Sequence, residues 1–278
     1  MKAKGAADAD VRCAAVAGMF YPGDAGELEG TLRGLFRGGR EKSAAAVRGV
    51  IAPHAGYAYS GETAAAAYGR IAGNEYETVV VIAPSHREFF EGVSVYPGRA
   101  YSTPLGTLPI DAALREALTR STPFVRASLR GHGAEHAVEV HLPFLQHLLG
   151  EFPLLPLVVG HQTSEVCFGL GRALGALLGK RSALLVASTD LSHFHEDREA
   201  RTIDEVVLAD VRAFDPGALM THLEEGTAEA CGGGPTVAAL AALRILGATS
   251  VHVVAYATSG DVTGDRRSVV GYMSAVAF

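Results

Sequence analysis

Near-continuous apolar runs alternate with alanine- and leucine-rich amphipathic stretches along this chain, and that alternation constrains its fold more than any other feature. The runs lie at Arg48–Ala52, Thr78–Ala83, Leu154–Val159, Ala183–Ala187, Ser250–Ala257 and Val269–Val276. Most of them show no polar face, which is the pattern of strands covered on both sides. Between them the spacing predicts helices over Gly61–Ile71, Asp111–Ser121, His136–Leu149, Ser164–Leu178, Arg198–Phe214 and Pro235–Leu246. Ser60 and Ser164 suit N-caps, and Pro235 suits the first turn of its helix. The expected architecture is a three-layer α/β domain, with a mostly parallel central sheet and helices on both faces. No linker, charge block or low-complexity tract divides it. Residues 11–278 are therefore expected to form one domain behind a short flexible head at residues 1–10.

Composition removes several function classes. The 278 residues are 48% hydrophobic and 19% charged, which excludes an intrinsically disordered chain. A net charge of -6 argues against a nucleic-acid groove, which needs clustered Lys and Arg. No apolar run reaches the ~18–20 residues of a membrane span. The opening MKAKGAADADVRC has no apolar segment after its lysines, so no secretion signal is visible. Cys13, Cys167 and Cys231 are too far apart for a zinc ribbon or a disulfide framework. The expectation is a soluble cytoplasmic protein with reduced thiols. GxGxxG after a strand, GxxxxGK[ST] and the GxSxG elbow are all missing, so dinucleotide, P-loop and α/β-hydrolase chemistry lack their marks.

Three apolar runs end alike. Gly49–His54 reads GVIAPH, Val80–His86 reads VVIAPSH, and Ala183–His193 reads ALLVASTDLSH. Ligands of open α/β sheets bind beyond the carboxyl ends of the strands. Those ends would bring His54, His86, Asp190 and His193 into one pocket. Proline just after a strand stops the ladder and fixes the turn that aims the imidazole. Cys231 lies in EACGGGPT (Glu229–Thr236). A thiol just ahead of a helix N-terminus is drawn toward thiolate, the form that ligates metal. Two imidazoles and a sulfur suit iron, copper or zinc, and a small residue packed beside a glycine turn is the equal alternative. Cys13 and Cys167 read as buried structural thiols. In Gly131–Leu148, GHGAEHAVEVHLPFLQHL, the groups Glu135, His136, Glu139 and His141 either orient ligands and carry protons or cap and pair locally. The spacing is not HExxH, and Pro143 argues against one straight helix through all four.

The blocks AGMFYPGD (Ala17–Asp24), IAPHAGYAYSG (Ile51–Gly61), IAPSH (Ile82–His86), EHAVEVHLPFLQ (Glu135–Gln146), STDLSHF (Ser188–Phe194) and ACGGGP (Ala230–Pro235) resemble the Memo family. The resemblance runs from about Val11 to Phe278. It implies a fold similar to class III extradiol dioxygenases, non-haem iron enzymes that open catechol rings. In those enzymes two histidines and a carboxylate hold iron, and another histidine is the acid/base. The resemblance puts metal ligands at His54, His86 and Cys231, with the thiol where the dioxygenases carry a carboxylate. It puts the acid/base at His193, with Asp190 beside it, and pocket aromatics at Phe20 and Tyr59. Fe(II) is the cofactor it implies first, with copper or zinc as alternatives. Bacterial and archaeal members are described as protein B of a system with an AMMECR1-like protein and a radical-SAM protein. The animal member is described as binding phosphotyrosine peptides. The expected function is therefore a metal-dependent, dioxygenase-like oxidoreductase of a small molecule. The alternatives are a non-catalytic metal- or peptide-binding protein in a vestigial pocket and a thiol redox sensor built on Cys231.

Overall fold

The computed structural model describes residues 10–38, 46–179 and 181–278. The expected head therefore lies, apart from Asp10, outside the described residues. All six apolar runs are strands: Gly49–Ala52, Thr78–Pro84, Leu154–Val159, Ala183–Ser188, Val251–Thr258 and Val269–Ala277. The heart of the large sheet is parallel, in the order Gly49–Ala52, Ala183–Ser188, Thr78–Pro84, Leu154–Val159. Every residue of these four strands is buried.

Even so, the sheet is mixed rather than mostly parallel. Val269–Ala277 runs antiparallel to Gly49–Ala52, and Val251–Thr258 runs antiparallel to Val269–Ala277. These two strands are separated by only the short helix Ser259–Thr263 and a turn. A parallel crossover needs a dozen or more residues, so the chain can only return antiparallel. On the far side Val93–Val95 is antiparallel to Leu154–Val159 and pairs in parallel with Val125–Ala127. An apolar run carries no mark of its direction, which is why composition alone misjudged the pairing. The pieces Val11–Arg12, Ala100–Thr103 and Gly106–Pro109 form a separate small sheet.

The parallel strands bury both faces by simple alternation. Val80, Ile82, Leu155, Leu157, Leu185 and Ala187 share one apolar cluster with Leu170 and Leu174 of helix Ser164–Leu178 and Leu240 of helix Gly233–Ile245. Val79, Val81, Leu154, Val158, Leu184 and Val186 face the other cluster, with Leu28, Leu32, Tyr68, Phe144 and Leu145 from helices Ala25–Leu35, Tyr57–Tyr68 and Leu142–Leu149. At ~1.5–3 kcal/mol for each fully buried large aliphatic side chain, these two layers dominate the stability of the fold.

Helix Ser164–Leu178 has the expected bounds, but Thr163 is its cap, accepting from Val166 N at 3.3 Å. Ser60 is inside a helix that starts at Tyr57 behind Gly56, so it caps nothing. The helix expected from His136 begins only at Leu142, after a 3-10 turn over Glu139–His141. Pro143 lacks an N–H and fits only a first turn, so it sets that start. Helices Ala25–Leu35 and Pro216–Glu225 were not anticipated. No helix among the described residues is long and apolar enough to cross a membrane.

Candidate metal centre

Because Ala183–Ser188 lies between Gly49–Ala52 and Thr78–Pro84, the three similar strand endings are neighbours. His54 follows Gly49–Ala52 and His86 follows Thr78–Pro84, and their ring centroids are 4.9 Å apart. His136 joins them from the loop ahead of the Glu139–His141 turn, 5.4 Å from His54 and 5.0 Å from His86. One nitrogen from each of the three lies within 4.8 Å of the others. This cluster could hold a metal.

The surroundings fix which nitrogen His54 and His86 offer. Ser188 Oγ donates its only proton to the Ala137 carbonyl at 2.7 Å. It must therefore accept from His54 Nδ1, also at 2.7 Å, and His54 Nε2 keeps its lone pair. Glu135 does the same for His86, accepting from Nδ1 at 3.0 Å and from the His86 amide at 2.5 Å. The amides of His136 and Ala137 also donate to Glu135, at 2.8 and 3.0 Å. Burial works against the Glu135 charge, yet the His136 and His86 rings beside it and the His86 amide hold its carboxyl well below the usual range. Burial, followed by the neighbouring rings of His86 and His136, pushes His54 well below the ordinary imidazole range. It is neutral, as a metal ligand must be. Buried His136 Nδ1 stands 3.2 Å from Glu135 Oε1 without a hydrogen bond.

Cys231 arrives from the turn before helix Gly233–Ile245, with Sγ 3.2 Å from His54 Nε2 and 3.3 Å from the donating Asp190 amide. The expected thiolate is not favoured here. Burial and then the Asp190 charge push the thiol up, and together they outweigh the hydrogen bonds from the Asp190 amide, Thr189 and the Gly232 amide. Asp190 is turned toward His54. Its Oδ1 accepts from the His54 amide at 2.8 Å, Oδ2 stands 4.0 Å from His54 Nε2, and it makes no hydrogen bond to His193. The register that pairs Ala52 with Ser188 sets Asp190 against His54. His193 is half-buried in strand His193–His195, paired with Val270. Burial raises the Asp190 carboxyl above its ordinary range, and the His54 amide and then the nearby His193 ring oppose that rise.

Phe20 reaches the cluster directly, its ring 4.7 Å from His136. With Met19, Tyr57, Tyr59, Ala257 and Val262 it lines a cavity of about 780 Å³. His141 is buried behind the site, with Nδ1 2.9 Å from Tyr68 Oη, and burial lowers it to about 3. Glu139 serves the chain rather than the site. It pairs with Arg12 and accepts from the Ala15 and Val16 amides at 2.7 and 3.0 Å and from Tyr21 Oη at 2.5 Å, anchoring the segment that carries Phe20. Cys167 is buried as expected, its thiol pushed up to about 12 by burial, but Cys13 is exposed. Sequence reasoning missed Ser188, although it stands in the same STDLSH block as His193.

The sequence profile described as Memo-like protein matches residues 12–276. The chain belongs to the Memo family. A MEMO1 family protein of Methanothermobacter thermautotrophicus is 38% identical over 272 residues, covering 94% of this chain and 98% of the relative. One from Aquifex aeolicus is 39% identical over 267 residues, covering 96% and 98%. Among solved structures, an uncharacterized protein from Escherichia coli K12 aligns with a TM-score of 0.54 at 18% identity, covering 82% of this chain and 99% of that one. The Memo fold of this chain and that protein's fold are alike in overall form.

Proposed function

We propose that this Memo protein is a metal-dependent oxidoreductase with a site arranged like that of class III extradiol dioxygenases, acting on a small organic substrate. The observation that carries the reading is the convergence of His54, His86 and His136, two of them with tautomers fixed by Ser188 and Glu135. These imidazoles, with Cys231 beside His54, would hold the ion, and the mixed nitrogen and sulfur donors fit iron first, then copper or zinc. Iron(II), when bound, supplies redox chemistry and Lewis acidity. The protein's own residues do the rest. Glu135 and Ser188 hold the ligating rings in one tautomer, a role whose loss costs metal sites affinity or activity. Phe20 and Tyr59 contribute an apolar wall for the body of the substrate. His193 moves a proton to or from a substrate oxygen through its imidazole.

The test is metal analysis of protein purified without oxygen, followed by oxygen uptake with catechols and other small phenolics. Stoichiometric iron that is lost in His54→Ala and His86→Ala, together with substrate-dependent uptake, is expected. A fully metallated protein that consumes no oxygen with any substrate would overturn the enzyme reading and leave a metal- or peptide-binding protein. Absence of metal in the wild type would overturn the metal-binding reading as well and leave only the peptide-binding one.

A further inference from the structure

Gln162 stands three residues beyond the strand Leu154–Val159, in the loop just ahead of the Thr163 cap. Its side-chain amide spans the CGGG turn. Nε2 donates to the Cys231 carbonyl at 2.8 Å, and Oε1 accepts from the Gly234 amide at 2.8 Å. A backbone N–H can only donate, so the orientation of the Gln162 amide is fixed.

The other side of the turn is bound to the end of strand Ala183–Ser188. The Gly232 amide donates to Thr189 Oγ1 at 3.0 Å, and the Cys231 amide donates to the Asp190 carbonyl at 3.2 Å. The turn is thus pressed between a strand end and one glutamine. A Cβ on Gly232 would come within 1.9 Å of the Ser188 carbonyl oxygen. One on Gly234 would meet Gln162 Oε1 at 2.8 Å and Cys167 Sγ at 2.7 Å. That close approach explains two of the three consecutive glycines, since only glycine lets backbone and neighbours come so near. The distance that matters for chemistry is the one between Cys231 Sγ and His54 Nε2, and it depends on where this turn is held.

We propose that Gln162 is the positioning residue that holds the Cys231 thiol against the metal centre, a role that rests on the metal-binding reading above. It touches neither metal nor substrate. Its two hydrogen bonds fix the turn from the side opposite Thr189 and Asp190, and so fix the sulfur relative to the three imidazoles.

The experiment titrates Co(II) into reduced, oxygen-free protein. Ligand-field bands report cobalt held at the site, and the near-ultraviolet thiolate-to-cobalt charge-transfer band reports the sulfur. Wild type is expected to show both, and Cys231→Ser only the first. Gln162→Ala is expected to bind Co(II) about 10-fold more weakly, the low end of the ~10–100-fold seen for outer partners of metal ligands. Its charge-transfer band per bound cobalt should fall while the ligand-field bands persist, a change that a merely structural role would not produce. Gln162→Glu keeps the acceptor for Gly234 and loses the donor to Cys231, so it should fall between the two, and it replaces the alanine variant if that one does not fold. An unchanged charge-transfer band per cobalt in the variants overturns the proposal. So does a wild type without that band; ligand-field bands alone would leave the three-histidine reading standing, whereas no cobalt binding at all would remove that reading too.

Discussion

Replacing Glu135 by glutamine changes one atom at the most crowded acceptor of the site. Four N–H groups point at this carboxylate: the amides of His86, His136 and Ala137 and the imidazole Nδ1 of His86. A glutamine offers one oxygen and one NH₂. Its oxygen would take the position of Oε1, which serves three of the donors, leaving NH₂ against the His86 amide. One buried donor is then unpaired at ~1–3 kcal/mol, and charge assistance is lost on the remaining bonds. The total is about 2–4 kcal/mol, or roughly 5–15 °C in Tm for a chain of this size, by the usual scaling. His86 would also lose the partner that holds Nδ1–H, so metal affinity should fall ~10–100-fold. Thermal melts of the metal-free protein read the first effect, and competition against a calibrated chelator reads the second. A glutamine variant that melts within about 2 °C of wild type and competes equally for metal would refute the claim that this carboxylate organises the site.

His132 is buried, with Nδ1 2.5 Å from Tyr101 Oη, and burial depresses it to about 3. The unfolded chain takes up this proton below about 6.5, so the contribution is complete above that pH and is lost progressively as pH falls toward 3; Tm measured from pH 7 to pH 4 should fall less steeply in His132→Gln, and parallel slopes would refute it. Glu139→Gln leaves the Arg12 guanidinium buried without its counter-charge, at ~3–5 kcal/mol; denaturant unfolding should show the loss, with partial recovery in Arg12→Met/Glu139→Gln, and an unaltered midpoint would count against the anchor. Cys231→Ser should fold normally yet bind iron or copper more weakly, whereas equal affinity would make the thiol a packing residue. His193→Ala should keep its metal and lose ~10²–10⁴-fold in turnover; oxygen uptake untouched by the change would remove this histidine from the mechanism.

The elements that the sequence revealed were those long enough to show a period. Leu154–Val159 and Ser164–Leu178 have the predicted bounds because six apolar residues or four helical turns leave little ambiguity. Val93–Val95 and Val125–Ala127 are three residues each, too short for any pattern to rise above chance, and they are recruited by pairing. Ser60 failed as a cap because Tyr57, Ala58 and Tyr59 are compatible with a helix that starts earlier.

The site divides along the same physical line. His54 and His86 were legible because a histidine directly beyond a buried parallel strand has only one crevice to enter. The partners that make them usable were not, since those depend on register and on loops. Ser188 meets His54 only because Ala52 pairs with Ser188, a one-to-one alignment that no composition encodes. Slipping that register by one residue would turn Ser188 to the opposite face and leave His54 Nδ1 without its acceptor. His136 read either as an orienting residue or as part of a polar helix start, since the helix was expected to begin there. The proline at 143 postponed the helix and left 136 in a loop free to reach the other two rings. The same loop lets Glu135 turn back on His86, so one short irregular segment supplies both a candidate ligand and the carboxylate that orients another. A Pro143→Ala change tests this directly. If the proline sets the late helix start, the variant should extend the helix toward His136, raise helical circular dichroism slightly and weaken metal binding. Unchanged metal affinity alongside a longer helix would show that the position of His136 does not depend on the irregular segment.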